Sequence, residues 1–136
     1  MEERTKRFLV AYAAAAAFSG VPSSTAALVS GDGVLDAARA AGTLPPGRRD
    51  RPGVVAGAAT HAVISAVWTV ALSPALSRLR RPHATVAGGA AGLAIAALDL
   101  GVIGRSYPAI RALPQARQWA DHAAFGAIVG WVVGRR

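Results

Sequence analysis

Cysteine is absent from this 136-residue chain, and charged residues make up only 16% of it. The lack of cysteine excludes disulfides, thiolate nucleophiles and cysteine-ligated zinc. Soluble domains usually contain about 25% charged residues, so the low charge content disfavours a typical soluble enzyme and a disordered segment. Aromatic residues are also few, at 6%, and lysine occurs only once. The low content of these residues favours a membrane protein over a water-soluble one.

Apolar residues are abundant, at 53% of the chain, and they fall into four stretches. The stretches cover residues 8–29, 53–76, 84–104 and 115–134. Each is about 20 residues long, the length of helix that crosses the roughly 30 Å hydrocarbon core of a bilayer. A segment in lipid must satisfy its own backbone hydrogen bonds, so we expect four helices. The predicted fold is an all-α transmembrane four-helix bundle, with residues 1–136 as one domain.

A soluble helical bundle and a cleaved signal peptide are two other interpretations of the apolar stretches. A soluble alanine-rich bundle would show one apolar stripe on each helix, whereas here the apolar residues continue all the way round. A cleaved signal peptide would explain the basic start, the apolar run and the small residues near Ser24. Against cleavage, apolar character continues to Val29, and Glu2 and Glu3 are untypical of a signal-peptide start.

The longest connection, residues 31–52, contains a pattern typical of a short helix lying in the membrane interface. Its apolar face would consist of Val34, Leu35, Ala38 and Ala41. Asp32 would lie near the start of this helix and Gly42 would end it. We therefore expect a short interfacial helix between the first and second membrane helices.

The net charge of +8 comes mainly from arginines clustered between the apolar stretches. This distribution favours anionic lipid headgroups as partners over nucleic acid, for which no RRM, helix-turn-helix or zinc-finger pattern is present.

Eight basic residues lie on the side of the two termini: Arg4, Lys6, Arg7, Arg78, Arg80, Arg81, Arg135 and Arg136. Seven lie on the other side: Arg39, Arg48, Arg49, Arg51, Arg105, Arg111 and Arg117. The cluster beside the first helix favours both termini in the bacterial cytoplasm, while the near balance leaves dual topology open.

Glycines spaced four residues apart occur in the third and fourth stretches. Gly88 and Gly92 form one such run, and Gly126, Gly130 and Gly134 form another. Small residues at this spacing let helix backbones approach closely in lipid. These faces predict tight helix packing, within the chain, in a homo-oligomer or against a larger membrane partner. An accessory or scaffold protein is the function that they favour.

Asp99 is the one charged residue of the third predicted span. At 100° per residue it lies within about 20° of Gly88 and Gly92, so it points into a helix contact rather than into lipid. A charged Asp at a helix centre costs roughly 3 kcal/mol on insertion scales. We therefore expect Asp99 to be protonated, paired or hydrated, and His61 is the partner that its depth suggests.

Other polar side chains share one half of the bilayer with Asp99 and His61, and these are Ser23, Ser24, Thr25, Asp121 and His122. Pro22 frees the carbonyl of Phe18 and kinks the first helix, so that Ser23, Ser24 or water would meet the freed backbone. This pattern predicts a polar vestibule that opens opposite the termini. It supports an alternative function, a small transporter or channel that relays protons or cations through an Asp/His pair.

Plainer interpretations of the same residues stay open. Pro22 could make only a packing kink, His61 could be a hydrogen-bonded core histidine, and Asp121 could pair with Arg117 one turn back. His61 and His122 could in principle ligate a haem across the bundle. No metal or cofactor is expected otherwise. Motifs of hydrolases, zinc proteases and P-loop proteins are missing, so nothing argues for an enzyme.

The layout resembles small four-helix membrane proteins common in actinobacteria. The resemblance is carried by Asp99 near the end of the third helix, a proline-containing loop, and Trp119-Ala-Asp121-His122 leading into Gly126 and Gly130. It implies four helices in the cytoplasmic membrane, and it implies no particular activity.

Overall fold

The computed structural model describes all 136 residues, and every regular element in it is a helix. The first three helices are α1 (Glu2–Phe18), α2 (Val21–Ser30) and α3 (Asp36–Ala41). Two long helices follow, α4 (Val54–Leu76) and α5 (Arg81–Leu98). A π-helical turn (Asp99–Ile103) and a 3-10 turn (Gly104–Ser106) lead into α6 (Pro108–Arg111) and α7 (Gln115–Val133).

Three helical segments are long and apolar enough to cross a membrane. They are Glu2–Ser30, which combines α1 and α2, then Val54–Leu76 and Arg81–Ser106. The fourth predicted stretch is also a helix, α7, but it is not among these three. Its first turns carry Arg117 and Asp121, which lower its hydropathy.

α7 lies at the centre of the fold and packs against α1, α2, α4 and α5. Towards the termini, these helices enclose an apolar core that consists of Ala11, Ala15, Leu76, Ala84, Phe125, Val129 and Val133. Only 24 of the 136 residues are buried, and many large apolar side chains face outward. An apolar outer surface around a small core is typical of helices that face lipid.

The two glycine runs meet each other along the contact between α5 and α7. A β-carbon added to Gly88 would overlap the carbonyl oxygen of Gly126, and the reverse holds for Gly126. A β-carbon on Gly92 would overlap the carbonyl oxygen of His122, and one on Gly130 that of Ala84. Backbone therefore lies against backbone along the whole contact, which is the packing that small residues permit.

The fifth glycine of these runs, Gly134, lies at the end of the same contact, where an added β-carbon would come 2.9 Å from the β-carbon of Ala84. Two backbone hydrogen bonds tie the end of the chain to the connection between α4 and α5. Arg81 N–H donates to the Arg135 carbonyl at 2.7 Å, and Arg135 N–H donates to the Leu79 carbonyl at 2.9 Å. The second connection and the C-terminal residues therefore lie at one end of the bundle.

The connection between α2 and α4 folds over the other end of the bundle. Its helix, α3, ends at Gly42 as predicted but begins only at Asp36. The prediction placed the start near Asp32, and this was wrong because Gly31, at φ +74°, ends α2 there and Asp32 instead pairs with Arg117 at 2.7 Å. Val34 and Leu35 thus precede the helix.

α3 crosses the first turns of α4 at very short distance. A β-carbon on Gly57 would overlap the carbonyl oxygen of Ala38, and Gly53 N–H donates to the Arg39 carbonyl at 3.1 Å. Glycine at position 57 is what allows the two backbones to touch. The crossing holds α3 above the space between α4, α2 and α7.

Candidate functional site

A cavity of about 610 Å³ lies between the helices, under the first and third connections. Sixteen of its 28 lining residues are hydrophobic. The lining contains the two carboxylates and the two histidines that the sequence analysis singled out, which are Asp99, Asp121, His61 and His122. Volumes of this size and mostly apolar walls with a few polar groups are typical of small-molecule sites.

The first wall of the cavity is the break between α1 and α2. Pro22 has no N–H to continue the helix, and the backbone turns through Ser19 and Gly20 before α2 begins. The Ala16 carbonyl, which Gly20 would bond in a continuous helix, receives no backbone hydrogen bond. It accepts instead from His61 Nε2 at 2.9 Å. Because a carbonyl only accepts, Nε2 is the protonated nitrogen of His61.

The second half of the broken helix is capped by α7. Ser23 N–H donates to Asp121 Oδ1 at 2.9 Å, and Ser23 Oγ donates to the Gly20 carbonyl at 3.2 Å. A carboxylate that accepts from the first turn of a helix satisfies an N–H left without a partner and complements the helix dipole. The sequence predicted that Ser23, Ser24 or water would meet the Phe18 carbonyl, but the Ser23 hydroxyl group bonds the Gly20 carbonyl instead. The acceptor from α7 was not predicted.

Asp121 does not pair with Arg117. The guanidinium of Arg117 instead donates to Asp32 Oδ2 at 2.7 Å and to Ser30 Oγ at 2.8 Å. These contacts join the C-terminal end of α2 to the first turn of α7. Asp121 therefore lines the cavity and caps α2 without a salt bridge to Arg117.

His122, not His61, contacts Asp99. His122 Nε2 lies 3.4 Å from Asp99 Oδ2, and both side chains are about one fifth exposed, at 23% and 21%. His122 Nδ1 lies 2.8 Å from the Gln118 carbonyl, so Nδ1 carries a proton. At 3.4 Å this contact can share one further proton between the imidazole and the carboxyl group. The pair is net neutral while it shares that proton, and it becomes charged when it accepts or releases another.

Asp99 also begins the π-helical turn that ends α5. Gly104 N–H bonds the Asp99 carbonyl, five residues earlier, and a β-carbon on Gly104 would lie 2.8 Å from that oxygen. π-Helical turns are rare and occur frequently at functional sites. This turn was not predicted from the sequence, in which the glycines at 101 and 104 are the only indication of it.

Of the polar residues predicted to form one cluster, Ser23 and Ser24 also line the cavity, whereas Thr25 is exposed and does not. The polar lining residues that were not predicted for this cluster include Ser19, Tyr107 and Gln118. Each lies near a helix end, where side chains from different connections meet.

No group of three or more acidic, histidine or cysteine side chains is arranged to hold a metal ion. Both ring nitrogens of His122 are engaged, which leaves neither free for a haem iron.

A second space, of about 400 Å³, adjoins the cavity at the loop end. The two share Ser23, Val34, Ala37, Leu113 and Gln118 in their walls. The outer space is charged, because Asp32, Asp36, Arg39 and Arg117 line it. At the opposite end the cavity meets the apolar core at Phe125. The site is thus approached from the end that carries the first and third connections.

No protein-family model, no curated protein and no solved structure matches this chain.

Proposed function

We propose that this chain is an integral membrane protein of the bacterial cytoplasmic membrane in which α7 is the fourth membrane helix. Three apolar helices of sufficient length support this, and so does the packing of α7 between them. The cluster formed by Arg80, Arg81, Arg135 and the N-terminal basic residues supports a cytoplasmic location of both termini. These basic residues would then contact anionic lipid headgroups.

Within that membrane, the protein acts as a small transporter or channel that relays protons through an Asp/His pair. The observation that carries this function is the Asp99–His122 pair, which faces a cavity inside the bundle. Ionisable groups inside membrane helices are costly, so they mark ion or substrate pathways by default. The cavity is reached from the loop end and closed by the core towards the termini. In this proposal the cavity opens opposite the termini.

In this proposal, α2 moves relative to α1 at the break between the two helices. α2 is only ten residues long and is attached to α1 through Ser19 and Gly20 rather than through a continuous helix. Transporters commonly place substrate sites at such interrupted helices. A rotation of α2 would change the hydrogen bond between the Ser23 N–H and Asp121, which caps that helix.

Proton flux into liposomes tests this function. The purified protein is reconstituted with a pH-sensitive dye inside the vesicles, and flux is followed after a pH step. Asp99→Asn and His122→Gln are expected to lower the flux at least 10-fold, because neither variant can pass a proton between the two positions. Asp50→Asn, an exposed loop change outside the cavity, is the matched control and should leave the flux unchanged.

Wild-type flux that equals that of empty vesicles would contradict a transporter, as would full flux in both pair variants. The unfolding midpoint of each variant in detergent is measured alongside, so that loss of flux is separated from loss of the fold. Asn at 99 and Gln at 122 keep hydrogen-bonding groups near the replaced atoms, so both variants are expected to fold.

An accessory or scaffold role is the second proposal. It is supported by the outward row of Val63, Val67 and Val70 on α4, which offers a partner helix an apolar face. The glycine runs support it less, because they already pack against each other inside the chain. A cross-linked, tagged pull-down from native membranes distinguishes the two roles. A stoichiometric foreign membrane protein, lost in Val67→Arg, would support the scaffold.

A further inference from the structure

The cavity between the helices has an unusual charge balance for this chain. Two carboxylates and two imidazoles line it, yet none of its 28 lining residues is arginine or lysine. The chain as a whole contains 15 Lys+Arg against seven Asp+Glu. The strongly basic character is therefore confined to the outside, and the interior is acidic. An interior of this kind repels anions and attracts cations.

Each carboxylate of the cavity has a single partner in the protein. Asp99 contacts His122 through Oδ2, and Asp121 accepts from Ser23 through Oδ1. Asp99 Oδ1 makes no hydrogen bond or ion pair with the protein, and Ser23 is the only residue that donates to Asp121. Ionised carboxylate oxygens only accept hydrogen bonds, so the group that completes them must be a donor. Donors with a positive charge give the strongest bonds of this kind.

The walls decide what kind of cation fits. Most lining residues are hydrophobic, and Trp68 and Tyr107 contribute aromatic rings. No group of acidic and histidine side chains is arranged to coordinate a metal ion. A volume of about 610 Å³ is also far larger than one bare ion needs. An organic body would cover the apolar walls, and an aromatic face would add a favourable contact with its charge.

We infer that the cavity binds a protonated organic amine, with the ammonium group at Asp99 and Asp121 and the apolar body against the remaining walls. As the identity of the transported substrate, this inference rests on the proposed function. As a binding site, it rests on the two carboxylates with a single protein partner each, the absence of arginine and lysine from the lining, and the apolar walls. Organic anions and neutral molecules of the same shape are expected to bind much more weakly.

Binding to the purified full-length protein in lipid nanodiscs tests the site directly. Three probes of similar shape are compared by titration calorimetry: 2-phenylethylammonium, neutral 2-phenylethanol and anionic 3-phenylpropionate. Empty nanodiscs measure partition into lipid. The ammonium probe is expected to bind at least 10-fold more tightly than either of the others.

A charge-removing double variant, Asp99→Asn with Asp121→Asn, locates the site. Each Asn keeps an oxygen that can accept from His122 or from Ser23, so the contacts with the protein are retained while the charge is lost. Affinity for the ammonium probe is expected to fall at least 10-fold, and Asp50→Asn should leave it unchanged. Asp121→Asn alone supplies a milder variant if the double change fails to fold.

Equal affinities for the three probes, no binding of the ammonium probe, or unchanged affinity in the folded Asn variants would each overturn the inference. The outcome is separable from that of the flux experiment. Amine binding without proton flux would contradict the transporter and support the site. Proton flux without amine binding would support the transporter and overturn the site.

Discussion

Ser23 and Asp121 are 98 residues apart in sequence, and the backbone N–H of Ser23 donates to Asp121 Oδ1 at 2.9 Å. This one hydrogen bond joins the break in the first predicted span to α7. The next residue of α7, His122, contacts Asp99 at the start of the π-helical turn. Asp121 and His122, which are adjacent in α7, thus contact the break between α1 and α2 and the π-helical turn. Any movement of α2 or of the π-helical turn has to change a contact of α7.

The cap on α2 can be tested by substitution at Asp121. Asp121→Ala removes the acceptor for the Ser23 N–H and is expected to lower the free energy of unfolding by about 1 kcal/mol, the usual cost of losing a helix cap. Asp121→Asn keeps an acceptor and should lose clearly less. Reversible unfolding in mixed detergent and SDS measures both. Equal losses in the two variants would show that the hydrogen bond to Ser23 contributes no stability.

His61 is expected to stabilise the helix break through its bond to the Ala16 carbonyl. His61→Leu leaves that carbonyl without its donor, and the expected loss is about 0.5–1.5 kcal/mol, the usual net contribution of a hydrogen bond to stability. His61→Gln can still donate and should recover most of the loss. Amide hydrogen exchange is expected to rise locally around residues 16–24 in the Leu variant. An unchanged exchange pattern there would contradict this role.

The contact between α5 and α7 predicts opposite effects at two neighbouring glycines. Gly88→Ala would force its β-carbon into the Gly126 carbonyl, and overpacking of this kind costs about 1–3 kcal/mol. At Gly89 an added β-carbon comes no closer than 3.8 Å to the Ala123 carbonyl, so Gly89→Ala meets ordinary contact. It is expected to be neutral or to stabilise, because alanine favours helix by about 1 kcal/mol. Unfolding midpoints that are lowered equally in both variants would contradict the packing described.

The ion pair between Arg117 and Asp32 is expected to contribute little stability. Half of the Asp32 side chain is exposed, and pairs of this kind contribute about 0–1 kcal/mol. A double-mutant cycle with Arg117→Gln and Asp32→Asn measures the coupling, which should weaken as salt is raised. A coupling well above 1 kcal/mol that ignores salt would show that lipid or protein shields the pair in the membrane.

Much of the helical organisation follows from local sequence. α4 occupies residues 54–76, where the apolar stretch predicted 53–76, because a long apolar run in lipid has no alternative to a helix. α3 ends at Gly42, as the glycine signal predicts. The α5–α7 contact follows from the spacing of Gly88 and Gly92, since residues four apart share one face.

The partners of the polar residues were decided by tertiary structure alone. The depth of Asp99 suggested His61, but rotation of α7 brings His122 to it, while His61 turns to the carbonyl freed in α1. Pairing of Asp121 with Arg117 one turn back was an interpretation left open, and the structure instead has Asp121 capping α2. Depth in a span can be counted along one chain segment, whereas the rotation of each helix depends on how all the faces pack together. Of the seven polar residues in the predicted cluster, the sequence therefore determined the six that line the cavity, with Thr25 the exception, and packing decided which of them meet.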